Sequence, residues 1–413
     1  MKPIHDAAKT AELARRNDAL VQAIHRRGLD HYVITTTENI FYLTHATFEP
    51  LERPFFLIIG ADGERQMVVP TLEVNHMHKA FGVNATNLVA YREFPAPRGQ
   101  GWVERLLDGH TLPGSFGFEP GTPWHIAEHL LQAKGEPVDL LEDIRIVKSD
   151  WEVTQIERAA RYADEAVADI LRRAWNGGTA AETFMAMQAT NRKIMRDVQD
   201  WDPLSTKVLA AAWPAPLSAE PHAVPPLSMR LGTGPHVALA VTRVNGYTAE
   251  CERTFFTSAP SAREREQFAL MTAARQLAYS LLKPGTACAE IDGAVNTFLA
   301  TQGFAKFHTR LHRCGHGFGL GNHEPPWLAE GSTHVLQAGM LVSIEPGIYL
   351  HNTGGLRHSD TVLITETGYR NLTHAPTELE DLVLPPGRWR QRLTGWMVAR
   401  SLKLKRAAQQ NES

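Results

Sequence analysis

The run Arg313-Cys-Gly-His-Gly-Phe-Gly-Leu-Gly-Asn-His-Glu-Pro-Pro326 sets His316 and His323 among glycines. Imidazole is the side chain most easily tuned to give or take a proton near neutral pH. Glycine lets a backbone pass close to a ligand with no Cβ in the way. Two acidic landmarks follow, Ser343-Ile-Glu-Pro-Gly-Ile-Tyr349 and Gly355-Leu-Arg-His-Ser-Asp-Thr361. Glu345 sits in an apolar run, where an unpaired carboxylate is costly, so it carries the plainest functional signal among the acids. Arg357 and Asp360 are expected to form an internal ion pair. Polar clusters separated by strand-like apolar runs point to side chains converging on one pocket, and acids beside imidazoles suit general acid–base work.

The elements that must hold this pocket are legible upstream of it. Ser149 with Glu152 three residues on is a capping box. It opens a helix whose Val153, Ile156, Ala160, Ala163, Val167 and Ile170 form one stripe ending at Gly177-Gly178. Ser261 and Glu264 open a second helix through Phe268, Met271 and Leu277, and a third spans about 289–302. The first part of the chain reads as α/β, with an amphipathic helix over 10–28, strands at 32–35, 55–59 and 67–69, and a helix at 126–133. Three regions are expected: a smaller N-terminal domain (1–147), a catalytic domain (148–387) and a basic tail (388–413). The tail carries Trp389, Trp396 and Leu402 and suits a surface helix or a packing arm in a dimer; residues 407–413 are expected to lack order.

A chain of 413 residues that is 43% hydrophobic can build two cores. A net charge of −3 argues against a nucleic-acid binder. No apolar run is long enough for a transmembrane helix, and the Met1-Lys-Pro-Ile-His-Asp start does not resemble a signal peptide. Cys251, Cys288 and Cys314 lack metal-ligand spacing and fit a reducing, cytoplasmic setting.

Taken in order, Gly315-His-Gly-Phe-Gly319, His323-Glu-Pro-Pro326, Glu345-Pro-Gly347 and Gly355-Leu-Arg-His-Ser-Asp360 resemble the pita-bread family of Xaa-Pro aminopeptidases, prolidases, methionine aminopeptidases and creatinases. The resemblance covers about 148–373. It implies a small creatinase-type N-terminal α/β domain and an α+β pita-bread domain of two pseudo-symmetric halves, each with two helices followed by strands. Metal-dependent members hold two divalent ions with two hairpin aspartates, a histidine and two glutamates. On that template the aspartates fall on Leu239 and Glu250, the histidine on His316, and the glutamates on Glu345 and Ser359. Residues 237–245 contain no acid. The sequence therefore leads us to expect no metal cofactor, with one divalent ion at Glu250, His316 and Glu345 as the secondary reading.

The run Glu250-Cys-Glu-Arg-Thr254 is similar to the pattern of creatinase, the metal-free member. That similarity implies Glu252 and Glu345 as site glutamates and His222, in Ala219-Glu-Pro-His-Ala223, as the general base. The last creatinase histidine falls on Ser359, while His358 stands one position earlier and should face the other side of a strand unless a bulge intervenes. The catalytic set expected is His222, Glu252, Glu345, His316 and His323, with Glu250, His358 and Tyr247 as substrate contacts. Glu252 has a rival role as the partner of Arg253. Arg53, in Arg53-Pro-Phe, resembles the creatinase arginine that reaches the partner subunit's site. This implies a homodimer and a clamp on a substrate carboxylate. The expected activity is metal-independent hydrolysis of an amide, ureido or guanidino C–N bond in a small carboxylate-bearing substrate. The alternatives are a metal-dependent Xaa-Pro aminopeptidase or dipeptidase with an altered site, a lyase on a small osmolyte, and a non-catalytic peptide-binding protein.

Overall fold

The computed structural model describes residues 7–304 and 309–404. The chain divides into two compact units, Met1–Arg145 and Ile146–Ser413. In the first, the helix Ala7–Arg27 buries Leu13, Leu20, Ala23 and Ile24 along one stripe, as a 3.6-residue period requires. Its strands are β1 (His31–Ile34), β2 (Phe56–Gly60), β3 (Arg65–Pro70), β4 (Leu88–Tyr91), β5 (Phe116–Phe118) and β6 (Glu136–Pro137). They form one sheet in the order β4-β3-β2-β1-β5-β6. Strand β2 is buried along its whole length, so its apolar run is continuous rather than alternating. Val33, Phe56, Ile58, Val68, Phe118 and Leu130 make up much of the core.

The second unit begins with the helix Asp150–Arg173. Ser149 Oγ accepts from the Glu152 N–H, and the Glu152 carboxylate accepts from the Ser149 N–H, both at 3.2 Å. The expected stripe is buried and packs against the long hairpin of β8 (His236–Val244) and β9 (Tyr247–Phe255). Strand β7 (Lys207–Trp213) completes that edge. The second helix of this half, Ala180–Asp197, which local pattern did not place, lies over β7. Its buried face is built from Ala180, Ala181, Thr183, Ala186 and Thr190, small or hydroxylated residues that give little apolar periodicity. The cue was its cap: Glu182 accepts from both the N–H and the hydroxyl of Thr179.

The second half repeats the plan with the helices Ala262–Ser280 and Cys288–Thr301. They are followed by β10 (Gly315–Gly317), β11 (Glu324–Leu328), β12 (Leu341–Ile344), β13 (Gly347–Leu350), β14 (Gly354–Arg357), β15 (Ser359–Ile364) and β16 (Tyr369–Asn371). The main sheet runs β11-β10-β12-β15-β9-β8-β7, with β16 beside β15, and β13-β14 form a separate hairpin. The basic tail contains the helix Trp389–Ser401. That helix packs on its own unit: Gly395 is buried against the Glu182 carboxylate, and Gln391 donates to the Arg172 and Ala174 carbonyls. The stretch expected to lack order, 407–413, lies outside the described residues. No described helix is long and apolar enough to cross a membrane.

Candidate active site

The site is built on the β8–β9 hairpin. Asn245 and Gly246 both have positive φ, 45° and 95°, the requirement of a two-residue type I′ turn. The turn fixes a register in which Val241 faces Glu250 and Leu239 faces Glu252. With a period of two, Glu250 and Glu252 point into the cleft and Cys251 and Arg253 point behind the sheet. Behind it, Arg253 pairs with Asp360 at 2.7 Å and donates to the Glu252 and Ser359 carbonyls.

Strand β10 runs between β11 and β12. A Cβ on Gly315 would meet the Ser343 carbonyl at 2.1 Å, and one on Gly317 the Pro325 carbonyl at 2.1 Å. These glycines are therefore required by neighbouring strands, not by a ligand. Between them His316 donates from Nδ1 to the Gly317 carbonyl at 3.1 Å, which turns Nε2 to the carboxylates. That atom lies 3.2 Å from Glu345 Oε1 and 3.9 Å from Glu250 Oε1. The approach to Glu345 does not have hydrogen-bond geometry, so His316 Nε2 is buried without a hydrogen-bond partner. The His323 ring lies 4.0 Å from that of His316, centroid to centroid. The Ser359 hydroxyl donates to Glu250 at 2.7 Å.

Glu252 is held in a two-pronged pair with Arg357, through Nη2 at 2.8 Å and through Nε. Arg357 also donates to the Tyr349 hydroxyl at 2.9 Å, and that hydroxyl lies 2.6 Å from His312 Nε2. Glu250, Glu252, Glu345, Arg357, His312 and His323, with His222 on the rim, line a cavity of 440 Å³ together with the apolar Leu209, Trp213, Leu239 and Val241.

Three buried carboxylates at such range cannot all ionise freely. Burial, and then the neighbouring Glu345 charge, push Glu250 up. Burial raises Glu252 to about 8, Arg357 opposing and Glu250 and Glu345 reinforcing the rise. For Glu345 burial acts in the same direction, but the His316 imidazole outweighs it and holds the carboxyl low. Conversely, burial works against protonation of His316, yet Glu345 raises it. His323 is pushed down to about 4 by desolvation and by the His316 charge beside it. His312 is lowered to about 4 by burial.

The cleft thus brings together His222, Glu250, Glu252, His323, Glu345 and, beneath them, His316. Other expectations are corrected. Arg357 does not pair with Asp360: Asp360 belongs to Arg253 and Arg275 behind the sheet, and the partner of Glu252 is Arg357, not Arg253. His358 is fully buried against Phe268 and faces Arg275, away from the cleft. Tyr247 packs edge-on against Trp151 and donates to Glu152 at 3.3 Å, because its place at the hairpin turn points it into the helix. Arg53 lies in the first unit and pairs with Glu52 and Glu93, each at 3.1 Å. Sequence reasoning missed Arg357, His312 and Tyr349 as members of the cleft. The two stretches on which Arg357 and Tyr349 stand were singled out, but their mutual geometry depends on the β13–β14 hairpin, in which Gly347 pairs with Arg357.

The fold and this cleft define a two-domain pita-bread enzyme. Residues 154–366 match the sequence profile of metallopeptidase family M24, and residues 16–147 match the creatinase/prolidase N-terminal domain. The chain belongs to metallopeptidase family M24, a family of C–N hydrolases. It is 27% identical over 366 residues to a Pyrococcus horikoshii Xaa-Pro dipeptidase (87% of this chain, 97% of that one) and 26% identical over 373 residues to one from Pyrococcus furiosus (89% and 100%). Among solved structures it is similar to dipeptidase PepE from Mycobacterium ulcerans, with TM-score 0.77 and 26% identity over 91% of this chain and 99% of the other.

This membership overturns the expectation of a site without a cofactor, and the donors themselves agree. Glu250, His316 and His323 form one group, and Glu250, Glu252 and Glu345 another, each with ligand atoms within 4.8 Å of one another. A buried imidazole nitrogen with no hydrogen-bond partner, facing carboxylate oxygens, suits a divalent cation. The set nevertheless differs from the two-ion template at Leu239 and Ser359, where no acid stands.

Proposed function

We propose that this chain is a metal-dependent dipeptidase of the Xaa-Pro type, hydrolysing the C–N bond of a small peptide that ends in a carboxylate. The observation that carries this reading is His316 Nε2, buried, without a hydrogen-bond partner, and 3.2 Å from Glu345 beside Glu250. Membership of family M24 and the names of the Pyrococcus relatives support it.

Glu250, His316 and Glu345 are the residues that would hold the cation, with His323 at its edge. When bound, such an ion supplies Lewis acidity at the scissile carbonyl. The chain's own groups do the rest. His323, neutral above about pH 4, donates a hydrogen bond to the carbonyl oxygen from the far side. His222, on the rim of the cleft, takes a proton from the attacking water and returns it to the leaving nitrogen. Arg357, fixed in place by Glu252 and Tyr349, presents a cationic wall that orients the substrate. The apolar patch of Leu209, Trp213, Leu239 and Val241 beside the hairpin acids excludes water from the cleft. Arg53 belongs to the same reading as a clamp in a partner subunit's site of a homodimer, on the strength of its resemblance to the creatinase segment. The buried free thiols of Cys251, Cys288 and Cys314 are consistent with a cytoplasmic location.

The test is hydrolysis of a panel of Xaa-Pro dipeptides by protein loaded with manganese, cobalt or zinc. Cleavage that stops on chelation and returns on adding back the ion is expected. Cleavage indifferent to chelator, or no cleavage of any member, would overturn the reading.

A further inference from the structure

We propose that Glu252 supplies, from across the β8–β9 ladder, the cation-binding carboxylate that position 239 lacks, so that both acids of the hairpin stand on one strand. This rests on the metal-dependent reading above and deepens it. Leu239 is the direct cross-strand partner of Glu252, as Val241 is of Glu250. Directly opposed residues share a face of the sheet, with their Cβ atoms about 4.5–5.5 Å apart. A carboxylate can therefore move from one strand to the other and still reach the same space. All four residues line the cleft. Two residues apart on β9, Glu250 and Glu252 also share a face by the period of the strand. The arrangement thus keeps two hairpin acids while leaving β8 apolar.

The distances agree. Glu250, Glu252 and Glu345 each offer an oxygen within 4.8 Å of the others, little more than the span across one ion with ligand bonds of about 2.0–2.2 Å. The Arg357 fork does not consume Glu252, because a carboxylate has about four lone-pair sites and the guanidinium uses two of them. A second observation points the same way. His316 Nε2, on a residue 1% exposed, has no hydrogen-bond partner and lies 3.2 Å from Glu345 and 3.9 Å from Glu250. Against three buried carboxylates the cleft lining offers two permanent cations, Arg357, which is forked onto Glu252, and Arg313, whose guanidinium lies over the Trp327 ring.

The experiment uses the full chain, stripped by chelator and titrated with Mn²⁺ by calorimetry, with bound metal counted by elemental analysis. Glu252→Gln should weaken Mn²⁺ binding at least tenfold or remove one equivalent. Leu239→Asp in the Glu252→Gln background should restore binding to within about threefold of wild type. Thermal unfolding of the metal-free proteins identifies any variant that fails to fold. If Glu252→Gln does so, Glu252→Asp decides: it keeps the charge beside Arg357 but withdraws the oxygens, and its binding should fall at least tenfold. Binding by a folded Glu252→Gln or Glu252→Asp protein within twofold of wild type would overturn the relocation. So would a folded double variant that does not recover. Wild-type protein that binds Mn²⁺ and needs it for hydrolysis, beside a Glu252→Gln protein that binds equally, refutes the relocation alone. Wild-type protein that binds no Mn²⁺ refutes the metal-dependent reading as well.

Discussion

Asp360→Asn would remove the charge that anchors the back of the active-site sheet. Asp360 accepts from Arg253 at 2.7 Å, from Thr373 at 2.8 Å and from Tyr279 at 3.3 Å, and pairs with Arg275. The side chains of Asp360 and both arginines are at most 5% exposed. Asparagine keeps the volume and one acceptor, but leaves two buried guanidiniums without the carboxylate that pairs with both. Breaking a buried pair in this way costs about 3–5 kcal/mol. At roughly 2–4 °C per kcal/mol for a unit of this size, Tm should fall by about 10 °C. The sign of the pH dependence follows from the charges. Burial alone would raise the Asp360 carboxyl, but Arg253 and Arg275 hold it below its ordinary value. Its contribution is therefore fully present above the unfolded value of about 3.9 and is lost as pH falls through the folded one. Urea unfolding followed by tryptophan fluorescence at pH 7 and at stepwise lower pH measures both. The gap between wild type and variant should be constant above about pH 5 and close below about pH 4. A gap under about 1 kcal/mol at pH 7, against the buried-pair cost, or one that widens on acidification, would refute the reasoning.

Two further substitutions separate the cleft from its scaffold. His222→Ala should lower kcat by about 10²–10⁴ while Tm stays put, since an exposed loop residue usually contributes within about 0.5 kcal/mol; an unchanged kcat in steady-state assays removes His222 from the chemistry. Tyr247→Phe should cost about 1 kcal/mol in denaturant unfolding, the net value of one hydrogen bond, with KM and kcat unchanged. A raised KM would return Tyr247 to the substrate contacts.

The parts of the fold that could be read from the sequence are those whose signals are local. Ser149 and Glu152 followed by a wide apolar stripe are enough to place the helix Asp150–Arg173. The helix Ala180–Asp197 escaped because alanine and threonine bury well against β7 yet write no apolar period. Glu345 drew attention as an acid in an apolar run, and the structure places it against His316. The one-residue offset of His358 from Ser359 was legible too: the two point to opposite sides, Ser359 to Glu250 and His358 to Arg275. What local pattern could not supply was the partner of each charge. Arg357 and Asp360 lie close in sequence but face different layers, and their true partners, Glu252 and Arg253, are adjacent residues on the hairpin. Alternation along β9 decides the pairing, and only the long-range register of Ser359 against Glu252 fixes it.

That alternation also sorts charge across the sheet. Behind it, Asp360 faces two guanidiniums, Arg253 and Arg275. In front, Glu250, Glu252 and Glu345 share Arg357 and the imidazole of His316. Taking a carboxylate out of water is tolerable only when it is paired or protonated, and the front has too few positive groups to pair all three. Left alone, it answers by favouring the protonated form: burial and the Glu345 charge push Glu250 up, and burial raises Glu252 despite its pair with Arg357. A cleft in that condition favours any cation that can displace the proton. A divalent ion held by Glu250, His316 and Glu345 would do so with more charge. The same imbalance explains why an apolar β8 wall is tolerated. A further acid at Leu239 would deepen a deficit that three carboxylates already create, so the hairpin holds the number of acids its surroundings can neutralise once an ion is bound.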